Sequence, residues 1–211
     1  MTVYEHFMLG GSLALASGLQ RRYGWHMVAL AGVAAALPDL DGLSIAFGPQ
    51  AYADAHRVWG HNLLVAGGMG AAAGACEYKF GVFERFSRSA VLQKSPQTSS
   101  ARPAGNVPGA VTPSLAICAL TGVLAAFSHL AADLVYSYGN GGHPWPLPLL
   151  WPFSRRNWVI PILQWGDLGA TLLFIAEMFA LYRWPSRATG IAWLTLTLVA
   201  AYVGARWLGS I

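Results

Sequence analysis

Six apolar blocks, separated by charged or Gly/Pro-containing junctions, most constrain the fold of this 211-residue chain. Only 10% of its residues are charged, whereas a soluble domain carries about 25%. The chain therefore lacks the polar surface of a water-soluble protein, and two cysteines are too few for a disulfide-stapled secreted module. These counts predict a single integral membrane domain over residues 1–211.

The apolar blocks are predicted to be membrane helices. They cover residues 7–19, 25–37, 61–76, 113–136, 165–182 and 191–207. The first two are shorter than the about 20 residues of a transmembrane helix. We therefore predict an all-α, multi-pass transmembrane helical bundle with about four to six membrane helices. Asp167 is expected to cap the fifth helix, and the polar, Ser/Pro/Gly-rich residues 84–112 predict a flexible loop within the domain.

Positive charges are distributed unevenly over the two predicted membrane faces. If all six blocks cross, one face holds nine of the thirteen Lys and Arg residues. The other face holds Arg57, Arg155, Arg156 and Arg206. The positive-inside rule then makes the nine-charge face cytoplasmic. The net charge of +4 is thus attributed to loop residues that set the orientation of the helices. We expect the protein to lie in the cell (inner) membrane, with the lipid bilayer as its partner, and we expect no nucleic acid to bind.

Two carboxylates end the second block, in the sequence Pro38-Asp39-Leu40-Asp41-Gly42. Because Asp-Gly is a turn signal, both side chains are predicted to project from an extended turn. Carboxylates this close repel each other unless a cation or a proton lies between them. A simple polar turn at the membrane surface is the alternative interpretation.

Two histidines, His56 and His61, precede the third block. Their separation is about 140° on an ideal helix. They therefore face the same way only if Gly60 permits a bend, or if His56 lies in a loop before the helix. A pair of interfacial histidines without a ligand is the alternative.

His129 and Asp133 are four residues apart near the end of the fourth block, so both point to the same side of that helix. This spacing can deliver two metal ligands, or a carboxylate that orients a metal-bound imidazole. The alternative is a buried hydrogen-bonded pair that stabilises the bundle.

In an alternating bundle, these motifs and the start of the first block lie at the same membrane face. The residues that would gather there are His6, Asp39, Asp41, His56, His61, His129 and Asp133. Such a mixture of imidazoles and carboxylates favours Zn, with Mn or Fe as alternatives, over Mg or Ca. The charge count makes this end extracytoplasmic.

At these residues the chain resembles the YdjM-type family of membrane-bound, metal-dependent hydrolases. The shared features occur in order: His6 with Gly10, Pro38-Asp39-Leu40-Asp41, His56-Arg57 with His61, Ser128-His129 with Asp133 and Gly139, and Leu149-Leu150-Trp151-Pro152 with Arg155-Arg156. The chain departs from the family pattern at Gly60 (usually Thr), Asn62 (usually Ser) and Tyr136 (usually Thr). The family is distantly similar to zinc-dependent phospholipases C and single-strand nucleases, which implies phosphoester hydrolysis by analogy.

The resemblance implies hydrolysis of a lipid or phosphoester substrate by a metal-activated water, with one to three ions bound. The four histidines and Asp133 would be ligands, while Asp39 and Asp41 would bridge metals or supply the general base. Arg57 would clamp a phosphate or, equally, face a lipid headgroup. A metal or proton transporter, or a scaffold with a structural metal, is the non-enzymatic alternative.

Overall fold

The computed structural model describes residues 1–87, 111–138 and 143–209, and the regular elements within these ranges are helices. They are α1 (Val3–Ala16), α2 (Leu19–Tyr23), α3 (Trp25–Ala36), a 3-10 segment (Leu37–Phe47), α4 (Pro49–Ala55), α5 (Leu63–Phe80), α6 (Leu115–Val135), α7 (Leu168–Arg183), a 3-10 turn (Pro185–Arg187) and α8 (Ala188–Leu208). Each of the six apolar blocks overlaps one of the longer helices. The predicted all-α membrane bundle is therefore confirmed.

Three helical stretches of the described residues are long and apolar enough to cross a membrane. They are Trp25–Phe47, Leu115–Val135 and Pro185–Leu208. By contrast, α1 has 14 residues and is about 21 Å long, which is less than the about 30 Å of bilayer hydrocarbon. This first helix is too short to span the hydrocarbon on its own.

The second apolar block does not end at Pro38 in an extended turn, so that expectation is wrong. The chain continues from α3 into the 3-10 segment, with Pro38 in its first turn. Proline is tolerated at that position because the first N–H groups of a helix have no intrahelical acceptor. The helical turn directs Asp39 and Asp41 differently, since two positions in a 3-10 helix are separated by about 240°.

α5 and α6 pack backbone against backbone through small residues. A Cβ atom at Gly70 would collide with the carbonyl of Gly122, and one at Gly74 would collide with the carbonyl of Cys118. Small residues permit this approach in membranes, where van der Waals packing drives helix association. The antiparallel register places the start of α5 at the level of His129 on α6.

Polar contacts and a close crossing hold α1 inside the bundle. A Cβ atom at Gly10 would collide with the carbonyl of Ala31 on α3. Towards α7, Glu5 accepts a hydrogen bond from Thr171 at 2.5 Å, and Glu177 accepts one from Ser12 at 2.6 Å. These bonds satisfy polar groups that would be costly to leave unpaired in an apolar surrounding.

The connecting segments agree with the sequence in part. Asp167 caps α7 as expected, because its carboxylate accepts a hydrogen bond from the Gly169 N–H at 2.9 Å. The short helices α2 and α4 lie between the apolar blocks and were not predicted. Most of the predicted polar loop, residues 88–110, lies outside the described residues.

Candidate metal centre

Four elements bring polar side chains to one end of the bundle. The residues that meet there are His6 on α1, Asp39 on the 3-10 segment, His61 just before α5, and His129 and Asp133 on α6. The three imidazoles are fully buried. These five residues are called the His/Asp cluster below.

The Nε2 atoms of the three imidazoles face two carboxylates. Asp133 Oδ1 lies 3.1 Å from His6 Nε2, and Asp133 Oδ2 lies 3.4 Å from His61 Nε2 and 3.9 Å from His129 Nε2. Asp39 Oδ1 lies 3.5 Å from His61 Nε2 and 3.7 Å from His129 Nε2. Two groups have ligand atoms within 4.8 Å of one another, namely His6 with His129 and Asp133, and Asp39 with His61 and His129.

Hydrogen bonds fix the opposite edges of two of these rings. His129 Nδ1 lies 2.7 Å from the carbonyl oxygen of Ala35, and His61 Nδ1 lies 2.8 Å from Asp41 Oδ2. Because both partners are acceptors, each Nδ1 donates, and a neutral ring then keeps a lone pair on Nε2. Metal-ligating histidines commonly have this arrangement. The two Nε2 atoms are 3.0 Å apart, so a proton or another cation must separate their lone pairs.

The spacing of the donor atoms fits a tetrahedral metal. Ligand atoms bound to tetrahedral Zn at about 2.0–2.1 Å are about 3.3 Å from one another. The Nε2 atoms of His61 and His129 lie 3.0 Å from each other and 3.4–3.9 Å from the nearest oxygens of Asp39 and Asp133. Asp39 Oδ2 and His6 Nδ1 are buried and have no hydrogen-bond partner among the described residues. The His/Asp cluster could therefore hold a metal ion.

Positive groups surround the buried carboxylates. The amino group of Met1 lies 2.6 Å from Asp133 Oδ1, and Nη2 of Arg57 lies 2.8 Å from Asp133 Oδ2. Carboxylate oxygens of Asp133, Asp39 and Asp41 lie 3.4, 3.5 and 2.8 Å from the ring nitrogens of His61. The Met1 amino group and Arg57 therefore offset part of the negative charge of Asp133.

Arg57 is 2% exposed, and its guanidinium is directed into the protein. Besides the ion pair with Asp133, Nη1 donates to the Trp145 carbonyl at 3.0 Å and Nη2 donates to the Tyr136 carbonyl at 3.1 Å. This position contradicts a headgroup-facing arginine. Nε alone lacks a partner among the described residues, which leaves little of the side chain for the predicted phosphate contact.

Asp41 and His56 lie beside the His/Asp cluster. Asp41 Oδ1 accepts a hydrogen bond from His56 Nδ1 at 2.8 Å, and Oδ2 accepts one from the Gly60 N–H at 3.2 Å in addition to the bond from His61. The Asp41 carboxylate is thus saturated by imidazole and backbone donors. The structure places five of the seven predicted ligands in the cluster and these two next to it.

The departures from the family pattern have local explanations. A Cβ atom at Gly60 would collide with the carbonyl of Pro38, so this backbone requires glycine. Asn62 caps α5, because its side chain accepts a hydrogen bond from the Val65 N–H at 2.9 Å. Tyr136 is 2% exposed, and its ring packs in an apolar cluster with Phe174.

Sequence reasoning missed the backbone partners of the site. The carbonyl of Ala35 orients His129, and the carbonyls of Tyr136 and Trp145 hold Arg57. Every residue type offers a backbone carbonyl, so no residue-type signal could have identified these groups.

The apolar helical bundle and the buried His/Asp cluster define an integral membrane protein with a candidate metal centre. The chain belongs to the family of the YdjM inner membrane protein, whose family model matches residues 1–210. This match confirms the resemblance indicated by the ordered His and Asp motifs. No curated protein and no solved structure gives a significant match to the chain.

Proposed function

We propose that this protein is a membrane-bound, metal-dependent hydrolase that acts on a phosphoester or lipid-type substrate. The main support is the buried juxtaposition of three imidazole Nε2 atoms and two carboxylates. A phosphoester bond is favoured by analogy with the distantly similar phospholipases C and nucleases.

The proposed metal ligands are His6, Asp39, His61, His129 and Asp133. A bound Zn, Mn or Fe ion would lower the pKa of a water and polarise a phosphoryl oxygen. Asp39 is the proposed general base, because its Oδ2 has no hydrogen-bond partner among the described residues. Asp41 orients His61, and Arg57 holds Asp133 in place through their 2.8 Å ion pair.

We infer that the His/Asp cluster lies on the extracytoplasmic side of the inner membrane. If all six apolar blocks cross, the opposite face carries nine of the thirteen Lys and Arg residues, and cytoplasmic loops are enriched in these residues. A substrate would then reach the cluster from the outer leaflet or the extracytoplasmic solution.

Metal analysis of purified protein tests the centre directly. We expect wild-type protein to contain a divalent metal, and His129→Ala and Asp133→Ala to lose most of it. His26→Ala is the matched control, because His26 lies at the other end of α3 from the cluster. Unchanged metal content in both cluster variants would overturn the assignment.

A hydrolysis assay separates an enzyme from a transporter. Detergent-solubilised protein is incubated with soluble and lipid phosphoesters, before and after chelation and re-addition of Zn or Mn. Hydrolysis that disappears on chelation and returns with the metal supports the proposal, and it needs no sealed vesicle. Metal-loaded protein inactive on every phosphoester would refute it.

A structural metal site is the second candidate, and complete burial of the three imidazoles favours it. In that case chelation would lower the melting temperature, but no substrate would be hydrolysed at any metal loading. The two candidates therefore predict the same metal content and different outcomes in the hydrolysis assay.

A further inference from the structure

An apolar cleft lies between α1 and α6, and α3 contributes Ala31 to its lining. Its volume is about 390 Å³, which is within the range of small-molecule sites. Its lining extends from Gly10 to Ser17 along α1 and from Ile117 to Ala125 along α6. The cleft is therefore elongated parallel to the two helices.

The cleft begins one helical turn from the His/Asp cluster. Gly10 follows His6 by four residues on α1, and Ala125 precedes His129 by four residues on α6. Residues at this spacing are neighbours on one helix face, about 6 Å apart along the axis. The rings of His6 and His129, one helical turn from Gly10 and Ala125, stack with centroids 3.5 Å apart.

The chemistry of the lining is that of a hydrocarbon site. Among the described residues that line it, Ser17 and Thr121 supply the only polar side-chain groups, and none is charged. Leu120 and Leu124 line the cleft and are 54% and 57% exposed, so its mouth is open at the protein surface. Because α6 is a candidate membrane span, this mouth faces bilayer hydrocarbon.

We propose that the cleft binds a hydrocarbon chain of a lipid whose phosphoester headgroup lies at the His/Asp cluster. This inference rests on the proposed function and narrows the substrate class to lipid phosphoesters. A chain would lie along α1 for about 10 Å between Gly10 and Ser17. Since lipid and cleft are both apolar, the benefit of binding is positioning: a seated chain places the phosphoester beside the cluster.

A helix from a second copy of the chain is the competing occupant. A helix with its side chains is about 10–12 Å wide. A concave cleft of about 390 Å³ is too small to enclose such a helix, whereas a single hydrocarbon chain is narrow enough to enter it.

The test uses a phospholipid with a photoactivatable group in mid-chain, mixed into bilayers that contain the full-length, metal-loaded protein. We expect labelled positions to concentrate at residues 10–19 and 117–125. Leu120→Trp should reduce that labelling about tenfold by filling the cleft. Leu194→Trp on α8 is the matched control, because Leu194 is 60% exposed outside the cleft lining, and its labelling should equal that of wild type.

Ser17→Phe fills the other end of the cleft and should also reduce labelling. Even labelling over all exposed helix faces would overturn the proposal, as would unchanged labelling in both cleft variants. Cross-linked dimers with no label in the cleft would identify a second copy as the occupant and overturn it too.

Kinetics distinguish failure of the cleft from failure of the proposed hydrolase function. If both hold, Leu120→Trp raises KM for a long-chain phosphoester more than KM for a water-soluble phosphoester, whereas Leu194→Trp changes neither. Cleft labelling without hydrolysis would refute the hydrolase and retain the lipid site. Hydrolysis with even labelling would refute the cleft proposal and retain the hydrolase.

Discussion

At the scale of residues, Asp39 and Asp41 have different tasks although only one residue separates them. Asp39 Oδ1 faces the Nε2 atoms of His61 and His129, whereas Asp41 Oδ2 accepts the hydrogen bond from His61 Nδ1. One carboxylate thus lies where it could bind a metal, and the other lies where it orients an imidazole of the same candidate site. The two residues should therefore respond differently to removal of their charge.

Asp41→Asn tests the orienting role. An amide has one acceptor oxygen, so it cannot accept hydrogen bonds from His56 Nδ1, His61 Nδ1 and the Gly60 N–H as Asp41 does. We expect metal affinity to fall about 10- to 100-fold, measured by competition with a chromogenic chelator. Asp54→Asn on α4 is the control and should bind metal normally. Equal affinity in both variants would contradict this role.

Arg57→Met tests the buried ion pair. The substitution leaves Asp133 without its guanidinium partner, and it leaves the Tyr136 and Trp145 carbonyls without their donors. We expect the free energy of unfolding to fall by about 3–5 kcal/mol, measured by denaturant titration in detergent micelles. The exposed Arg155→Met should change it by less than about 0.5 kcal/mol. A similarly small loss for Arg57→Met would argue against the assigned role.

At the scale of elements, the crossing of α5 and α6 determines where His61 lies along the length of α6. Contacts of Gly70 with Gly122 and of Gly74 with Cys118 define one antiparallel register. In that register, the turn that carries His61 lies beside His129. A shift of either helix would separate the two Nε2 atoms that are 3.0 Å apart.

Gly70→Ala tests this crossing, with Gly68→Ala as a control on the same helix. A Cβ atom at Gly70 collides with the Gly122 backbone, whereas one at Gly68 meets nothing within 4 Å. We expect Gly70→Ala to cost about 1–3 kcal/mol of stability and to lower metal affinity. Gly68→Ala should be neutral or slightly stabilising, since alanine favours helix. Equal melting temperatures for the two variants would show that the helices do not pack this closely.

At the scale of the whole molecule, the cluster and the predicted polar loop are assigned to opposite membrane faces. The proposed orientation, based on the charge count, would place residues 84–112 in the cytoplasm. The loop that contains Leu149 lies at the cluster end, because the Leu149 carbonyl accepts a hydrogen bond from the Leu63 N–H at 3.0 Å. The orientation of the chain therefore determines which compartment supplies metal and substrate.

Reporter insertions in the full-length chain test this orientation. A reporter after Ser99 should be active in the cytoplasm, because the segment around it carries Arg88, Lys94 and Arg102. A reporter after Phe153, which is 85% exposed in the loop at the cluster end, should be active outside. The reverse pattern would invert the proposed topology. If both reporters were active on the same side, α6 would not cross the membrane between them.

Much of the fold was predictable because it depends on local sequence. The apolar blocks predict the six longer helices, and the position of each motif at a block end predicts that the motifs meet at one face. The prediction failed at Pro38, where the helical path continues into a 3-10 segment. Extended backbone would have directed Asp39 and Asp41 to one side, whereas the 3-10 turn separates them.

The sequence by itself determined a helical membrane protein of the YdjM family with His and Asp residues at the ends of four apolar blocks. Residue type and spacing are sufficient for this, because membrane insertion depends on local hydropathy. Only the tertiary structure decided that Asp39 faces the imidazoles, that Asp41 lies behind them, and that Arg57 is buried against Asp133. These placements depend on the rotation per residue of the 3-10 segment and on carbonyl groups that are distant in sequence. The spacing of residues along the chain does not encode either of them.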